Sequence, residues 1–249
     1  MNRLLARANP GTLTLLLFAY LGVALLFERH AGRAGEFVLG GLTWLLLLAA
    51  LRPLERAIRA RVAGVVLVAS AGEVLGSLVL GLYSYRRGGI PLFVPPGHGL
   101  VYLAGHHLAR TALLRRRPRS TIRIAITAGV VWALLGLLAA PRPDVAGALV
   151  MPVLLAFLLR GRDPALFAAM FVVVALLEFY GTGMGSWTWE PVWPGTGLPA
   201  GNPPSGVAAG YCAFDALALW LAPRLLALRS ALANDPRERA LRNQAHAQS

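Results

Sequence analysis

The chain has 249 residues, of which 57% are hydrophobic and 14% are charged. Soluble globular domains carry about 25% charged residues, so this composition excludes a sizeable soluble domain. The net charge of +13 comes from arginines, with no lysine. These arginines lie at the ends of apolar blocks rather than on one polar face, which excludes a nucleic-acid-binding protein.

Eight apolar blocks follow one another along the chain. A membrane-spanning helix needs about 20 mainly apolar residues. We therefore predict an all-α, polytopic membrane protein with about eight transmembrane helices. The predicted helices are 12–28, 35–51, 62–82, 97–114, 121–140, 145–159, 164–180 and 203–228.

The ends of the blocks predict the orientation. The first block runs into Glu28-Arg29-His30 without a small-residue cleavage site, which indicates a retained helix rather than a signal peptide. Most arginines, beginning with Arg3 and Arg7, fall in alternate connecting segments, and basic residues favour the cytoplasmic side. This places both termini inside and loops 83–96 and 181–204 on the outer side of a bacterial-type inner membrane.

The domain organisation follows from the same blocks. We predict a single transmembrane domain at 1–229 and a polar cytoplasmic tail at 230–249. Segment 52–61 is predicted to be a basic linker or a surface helix between the second and third helices.

Two outer loops share an order of residues that indicates an internal repeat. Each copy has an acid within a helix, then Gly-x-aromatic-x-aromatic, then Pro-Pro at the start of the next helix. The copies are Glu73, Gly81-Leu-Tyr83-Ser-Tyr85 and Pro95-Pro96, and Glu178, Gly185-Ser-Trp187-Thr-Trp189 and Pro203-Pro204. We predict two parallel four-helix halves, 1–117 and 118–229, with a site between them.

Ionisable groups inside predicted spans are candidate functional residues, because they are costly in a bilayer. We predict Glu73 and Asp215 as an acid–base pair, with Glu178 and His106 in support. The alternative is structural, since buried polar side chains also bond neighbouring helices. The predicted substrate-binding residues are Tyr83, Tyr85, His98, Tyr102, Trp187, Trp189, Asn202 and Tyr211. Some of these aromatic residues would also suit a belt at the membrane interface.

Cofactors are not predicted. The single cysteine, Cys212, excludes a disulfide framework, and neither a Walker A loop nor a dinucleotide fingerprint is present. A metal site remains an alternative without a spacing motif to support it. Its ligands would come from His98, His106, His107, Glu73 and Asp215.

The second loop motif carries a family resemblance. The segment from Gly185 through Trp187 and Trp189 to Pro199 and Asn202 resembles a stretch of the carotenoid hydratases and the small integral lycopene cyclases. The first motif is similar to the matching upstream stretch of the hydratases. The resemblance implies cofactor-free chemistry on a long isoprenoid, in which an acid protonates a double bond and water or ring closure quenches the carbocation.

The leading hypothesis is therefore a lipid- or isoprenoid-processing membrane enzyme of hydratase or cyclase type, with a membrane lipid as its partner. A proton-coupled transporter is the first alternative, because buried acids and parallel repeats also suit transport. A metal-dependent membrane hydrolase and a non-catalytic scaffold are the others.

Overall fold

The computed structural model describes residues 9–233, which are mostly helical. A π-helical turn, Val74–Val79, continues the third helix. In chain order the elements are α1 (Pro10–His30), α2 (Arg33–Leu51), α3 (Arg56–Glu73), β1 (Tyr83–Tyr85), α4 (Val94–Ala109), α5 (Ala112–Arg116), α6 (Pro118–Leu138), α7 (Val145–Arg160), α8 (Pro164–Met184), β2 (Trp187–Trp189) and α9 (Ala208–Ala233).

Five of these helices are long and apolar enough to cross a membrane: α1, α2, α3 with its π-helical turn, α6 and α8. Helix α7 is a shorter apolar helix of 16 residues. The length and apolar composition of these helices confirm the prediction of a helical, multi-pass membrane protein. Arg3, Arg7 and the predicted tail from residue 234 onward lie outside the described residues.

Helix boundaries differ from the predicted ones where arginine is frequent. Helix α3 begins at Arg56, so six of the ten residues of the predicted linker 52–61 are helical, and α9 continues to Ala233, past the predicted boundary at 229. Arginine is a good helix former with a long apolar stem, so a helix can continue beyond the apolar block that predicts it.

Polar side chains fix several helix starts. The side chain of Asn9 accepts a hydrogen bond from the Thr12 amide at 2.8 Å, and Asp163 caps α8 in the same way. Asp144 caps α7 and also accepts the amides of Gly201 at 2.7 Å and Ser205 at 2.6 Å. Asp144 therefore anchors the loop before α9 to the start of α7.

Helix α4 forms the centre of the bundle, with a continuous run of buried residues from Leu100 to Ala104. It packs against α8, while α3 packs against α9. Large apolar side chains such as Leu15 and Phe37 are exposed on α1 and α2. Apolar exposure of this extent suits contact with lipid rather than with water.

A buried ion pair holds the first loop to the end of α1. The Glu28 side chain is 2% exposed and accepts hydrogen bonds from the Arg87 guanidinium and, at 2.7 Å, from the Ser186 hydroxyl. Arg87 also donates to the Ala31 carbonyl and lies 3.3 Å from the Glu36 carboxylate. One guanidinium thus joins α1, α2 and the loop after β1.

We expect Arg87→Met to destabilise the protein, because it removes the guanidinium that is hydrogen-bonded to the buried Glu28 carboxylate and leaves only Arg86, whose Nε lies 3.6 Å from Glu28 Oε1. The loss should be about 2 kcal/mol, below the roughly 3–5 kcal/mol of a fully buried pair, because Arg87 is partly exposed. Chemical unfolding in mixed detergent micelles measures it, with the exposed Arg33→Met as the control. Equal stability of the two variants would contradict the structural role of this pair.

Candidate functional site

The two loop motifs meet as a small antiparallel ribbon. Strands β1 and β2 pair in the register Tyr83↔Trp189, Ser84↔Thr188 and Tyr85↔Trp187. Because side chains alternate along a strand, the four aromatic side chains share one face, and Ser84 and Thr188 are exposed on the other. The ribbon therefore covers the helices beneath it with an aromatic layer.

Glu73, at the end of α3, lies under this ribbon and is 6% exposed. Its Oε2 accepts hydrogen bonds from the hydroxyls of Tyr83 at 2.8 Å and Tyr85 at 2.6 Å. Its Oε1 lies 2.8 Å from Nε2 of His98, where the tautomer decides which group donates. Glu73 is thus hydrogen-bonded by the two tyrosines of its own motif and by His98 on α4.

The hydroxyls of Tyr83 and Tyr85 remain hydrogen-bond donors to Glu73 at physiological pH. Burial, and next the nearby Glu73 carboxylate, raise the pKa of Tyr83 and Tyr85 well above the ordinary value for a phenol. Both hydroxyls therefore stay protonated over the physiological range and continue to donate to Glu73.

Glu178, on α8, repeats the arrangement with different donors. It is 2% exposed, and its Oε2 accepts from the indole Nε1 of Trp187 at 3.0 Å and of Trp189 at 3.1 Å. Its Oε1 accepts from the Tyr211 hydroxyl at 3.2 Å. An indole N–H only donates, so Oε2 is committed as an acceptor and a proton on this group would sit on Oε1.

Ring contacts link the two acids. The rings of Tyr83 and Trp189 have centroids 4.6 Å apart, and those of Tyr85 and Trp187 are 6.4 Å apart. The His98 ring lies 5.3 Å from the Tyr211 ring, so the partner of Glu73 is next to the partner of Glu178. The two carboxylates belong to one aromatic cluster.

A cavity of about 310 Å³ opens beneath the ribbon. Its wall includes both Glu73 and Glu178, and the remaining lining is mainly apolar. The predicted binding residues that line the cavity are Tyr83, Tyr85, His98, Trp187, Trp189 and Tyr211. A mainly apolar pocket with a few convergent polar groups is the usual form of a small-molecule site.

The wall of this cavity also carries two hydrogen-bonded hydroxyl groups, on Tyr20 and Thr43, that the sequence did not indicate. The Thr43 hydroxyl donates to the Leu39 carbonyl at 2.7 Å, and the Tyr20 hydroxyl lies 2.6 Å from the Thr43 oxygen. Since the single hydroxyl hydrogen of Thr43 is already used, Tyr20 is the donor of the second bond. The phenolic oxygen of Tyr20 keeps its acceptor capacity.

Other predicted site residues lie outside the cavity wall. Asp215 is 2% exposed, and its Oδ2 has no hydrogen-bond partner among the described residues. His106 is buried next to Arg110, whose guanidinium lies 2.7 Å from Nδ1, and Tyr102 is packed against His106. The Oδ1 of Asn202 accepts the Trp189 amide at 3.1 Å and so supports β2. The acid–base role of Asp215 and His106 stays a prediction.

The candidate metal ligands do not converge. Within residues 9–233, no three His, Cys, Asp or Glu side chains form a group that could hold a metal ion. Glu73 and His98 form one hydrogen-bonded pair, whereas His106 and His107 contact each other near the C-terminal end of α4. The metal alternative gains no support from the geometry.

Comparison of the chain with protein-family models, with curated proteins and with solved structures found no match.

Proposed function

We propose that this chain is a membrane-embedded enzyme that acts on an isoprenoid lipid by acid–base chemistry at Glu73 and Glu178, as a hydratase or a cyclase. The observation that carries the proposal is the pair of buried carboxylates, each bonded by three partners, on the wall of one mainly apolar cavity. The loop motifs that resemble carotenoid hydratases and cyclases supply four of these six partners, Tyr83, Tyr85, Trp187 and Trp189.

The chemistry needs two carboxyl groups in opposite protonation states. One carboxyl transfers its proton to a carbon of a C=C bond, which leaves a carbocation on the neighbouring carbon. In hydration, a water oxygen bonds to the cation and its extra proton passes to the second carboxylate. In ring closure, a second double bond of the same chain attacks, and the proton lost from an adjacent carbon passes to that carboxylate.

The surroundings of the two acids suit a cationic intermediate. The rings of Tyr83, Tyr85, Trp187 and Trp189 line the cavity, and aromatic faces attract cations. The cycle closes when the second carboxyl releases the proton it has accepted to solvent and the first carboxyl takes one up. An apolar wall limits the water that reaches the carbocation.

We further propose that all eight long helices span the membrane as two parallel four-helix halves. The ribbon supports this arrangement, because its register pairs each aromatic residue with the repeat equivalent of its neighbour: Tyr83 with Trp189, and Tyr85 with Trp187. The packing of α3 on α9 and of α4 on α8 obeys the same two-fold relation. Both termini would then face the cytoplasm of a bacterial-type cell, with the ribbon on the outer side.

A proton-coupled transporter is the rival function, and Asp215 is the observation that favours it. A buried carboxyl oxygen without a partner, among the described residues, is a feature of proton pathways in membrane proteins. The ribbon argues against an open path, because it covers the cavity with four large rings.

The test begins with the purified full-length protein. We expect organic extraction and mass spectrometry to identify a co-purifying polyprenyl or carotenoid-like lipid. Incubation of such a polyene with the protein in D2O should give a hydrated or cyclised product that carries deuterium on carbon. Product without deuterium would contradict proton donation, and pH-dependent solute uptake by proteoliposomes without any product would favour the transporter.

A further inference from the structure

A second apolar space lies on the surface of the bundle, between α1 and α8. This groove has a volume of about 510 Å³. Its α1 side is formed by Phe18, Leu21, Gly22 and Leu25, whose spacing puts them on one face of the helix. On α8, Leu177 and Tyr180 complete the opposite side. The groove follows one helix face for about two turns.

The groove adjoins the cavity beneath the ribbon. Leu21, Leu25 and Leu177 line both spaces, so their side chains form a common wall. Leu21 and Leu25 are buried between the two spaces, while Phe179, at the outer edge of the groove, is 52% exposed. A chain that leaves the cavity by displacing these leucine side chains would enter the groove without crossing a polar surface.

We propose that the groove between α1 and α8 binds the tail of the isoprenoid whose double bond reacts in the cavity, and that Gly22 sets the tail length that fits. This inference rests on the proposed function, because it takes the occupant from the chemistry of the cavity. The two spaces are separated only by the apolar side chains of Leu21, Leu25 and Leu177, which favours one long apolar molecule over two separate lipids. A tail in the groove would hold the reacting double bond at a fixed depth between Glu73 and Glu178.

Gly22 is the position where the groove can be changed without disturbing the fold. A Cβ atom added there meets no heavy atom within 4 Å. A larger side chain would therefore project into the groove instead of clashing, and leucine is a better helix former than glycine. Gly41 on α2 is a matched control, since its added Cβ also meets nothing within 4 Å and it lines neither space.

The experiment compares the wild type, Gly22→Leu and Gly41→Leu with short, intermediate and long polyprenyl chains, using native mass spectrometry for binding and product analysis for turnover. We expect Gly22→Leu to weaken binding of the long chains by about tenfold, which corresponds to about two excluded methylene groups. Short chains should bind as they do to the wild type, and Gly41→Leu should match the wild type at every length.

The outcomes separate the groove from the chemistry. Equal affinity of Gly22→Leu and wild type for long chains would overturn the groove assignment, even if turnover is observed. A length-dependent loss of binding in Gly22→Leu, without turnover by any form, would support the groove and reject the proposed enzyme. Equal competition by an ordinary phospholipid would also overturn the proposal, since the groove would then be a general lipid contact.

Discussion

Glu178→Gln is expected to lower turnover of the isoprenoid by roughly 10²- to 10⁴-fold, the usual contribution of a positioned general acid or base. Glutamine has nearly the same shape, and its amide oxygen can accept both indole N–H groups in place of Oε2. Its amide nitrogen would face the Tyr211 oxygen. The variant therefore keeps the packing and loses only the ability to exchange a proton.

Glu73→Gln should show the same loss for the same reason, because the amide can accept from Tyr83 and Tyr85 and donate to His98. Initial rates with a polyene substrate measure both variants, and their melting temperatures in detergent should stay within a few degrees of the wild type. The matched control is Glu55→Gln, an exposed acid at the start of α3. Full activity of either site variant would remove that residue from the mechanism.

The helical architecture could be predicted because an apolar block of sufficient length has few alternatives. Each of the eight predicted segments overlaps one long helix among the described residues, with differences of up to about six residues at the ends once the π-helical turn is counted with α3. The π-helical turn after Glu73 was not predicted, because its residues, Val74–Val79, read as an ordinary apolar segment.

A site between two repeated halves was predicted from the common order of the two motifs, whereas the pairing of their strands into one ribbon was not. Which two acidic side chains share the cavity was harder to predict. Counting residues along a helix estimates the depth of Glu73 and Asp215, but it does not tell which side chains face the same cavity. The structure brings Glu73 together with Glu178, because the donors on β1 and β2 hold both carboxyls beneath one ribbon.

One sequence signal for the site was present and not used. A glycine follows each acid by three residues, as Gly76 after Glu73 and Gly181 after Glu178. On a helix this spacing puts the glycine on the same face as the acid. A Cβ at Gly76 would lie 3.1 Å from the Tyr83 ring, and one at Gly181 would lie 1.9 Å from the Trp187 ring. The pattern Glu-x-x-Gly thus reserves the space for the first aromatic residue of each strand.

This role of glycine makes Gly181→Ala the most damaging single methyl addition that we predict. The Trp187 ring would have to move, because a contact of 1.9 Å between carbon atoms cannot be accommodated. Moving the ring breaks the bond from its indole N–H to Glu178. Overpacking costs about 1–3 kcal/mol and a hydrogen bond to a charged group about 1.5–3 kcal/mol, so we expect a loss of about 3–5 kcal/mol.

The matched control lies two residues further along the same helix. A Cβ at Gly183 meets nothing within 4 Å, so Gly183→Ala should unfold at a denaturant concentration no lower than that of the wild type, since alanine is a better helix former than glycine. Gly76→Ala should fall between the two, because its 3.1 Å contact with the Tyr83 ring requires only a small shift. Chemical unfolding in mixed detergent micelles measures the stability of the three variants. The order Gly183→Ala, Gly76→Ala, Gly181→Ala, from most to least stable, is expected if these glycines provide the space for the Tyr83 and Trp187 rings. Equal stability of Gly181→Ala and Gly183→Ala would contradict this packing. The Trp187 ring would then not lie against α8, and its indole N–H would not be a fixed donor to Glu178.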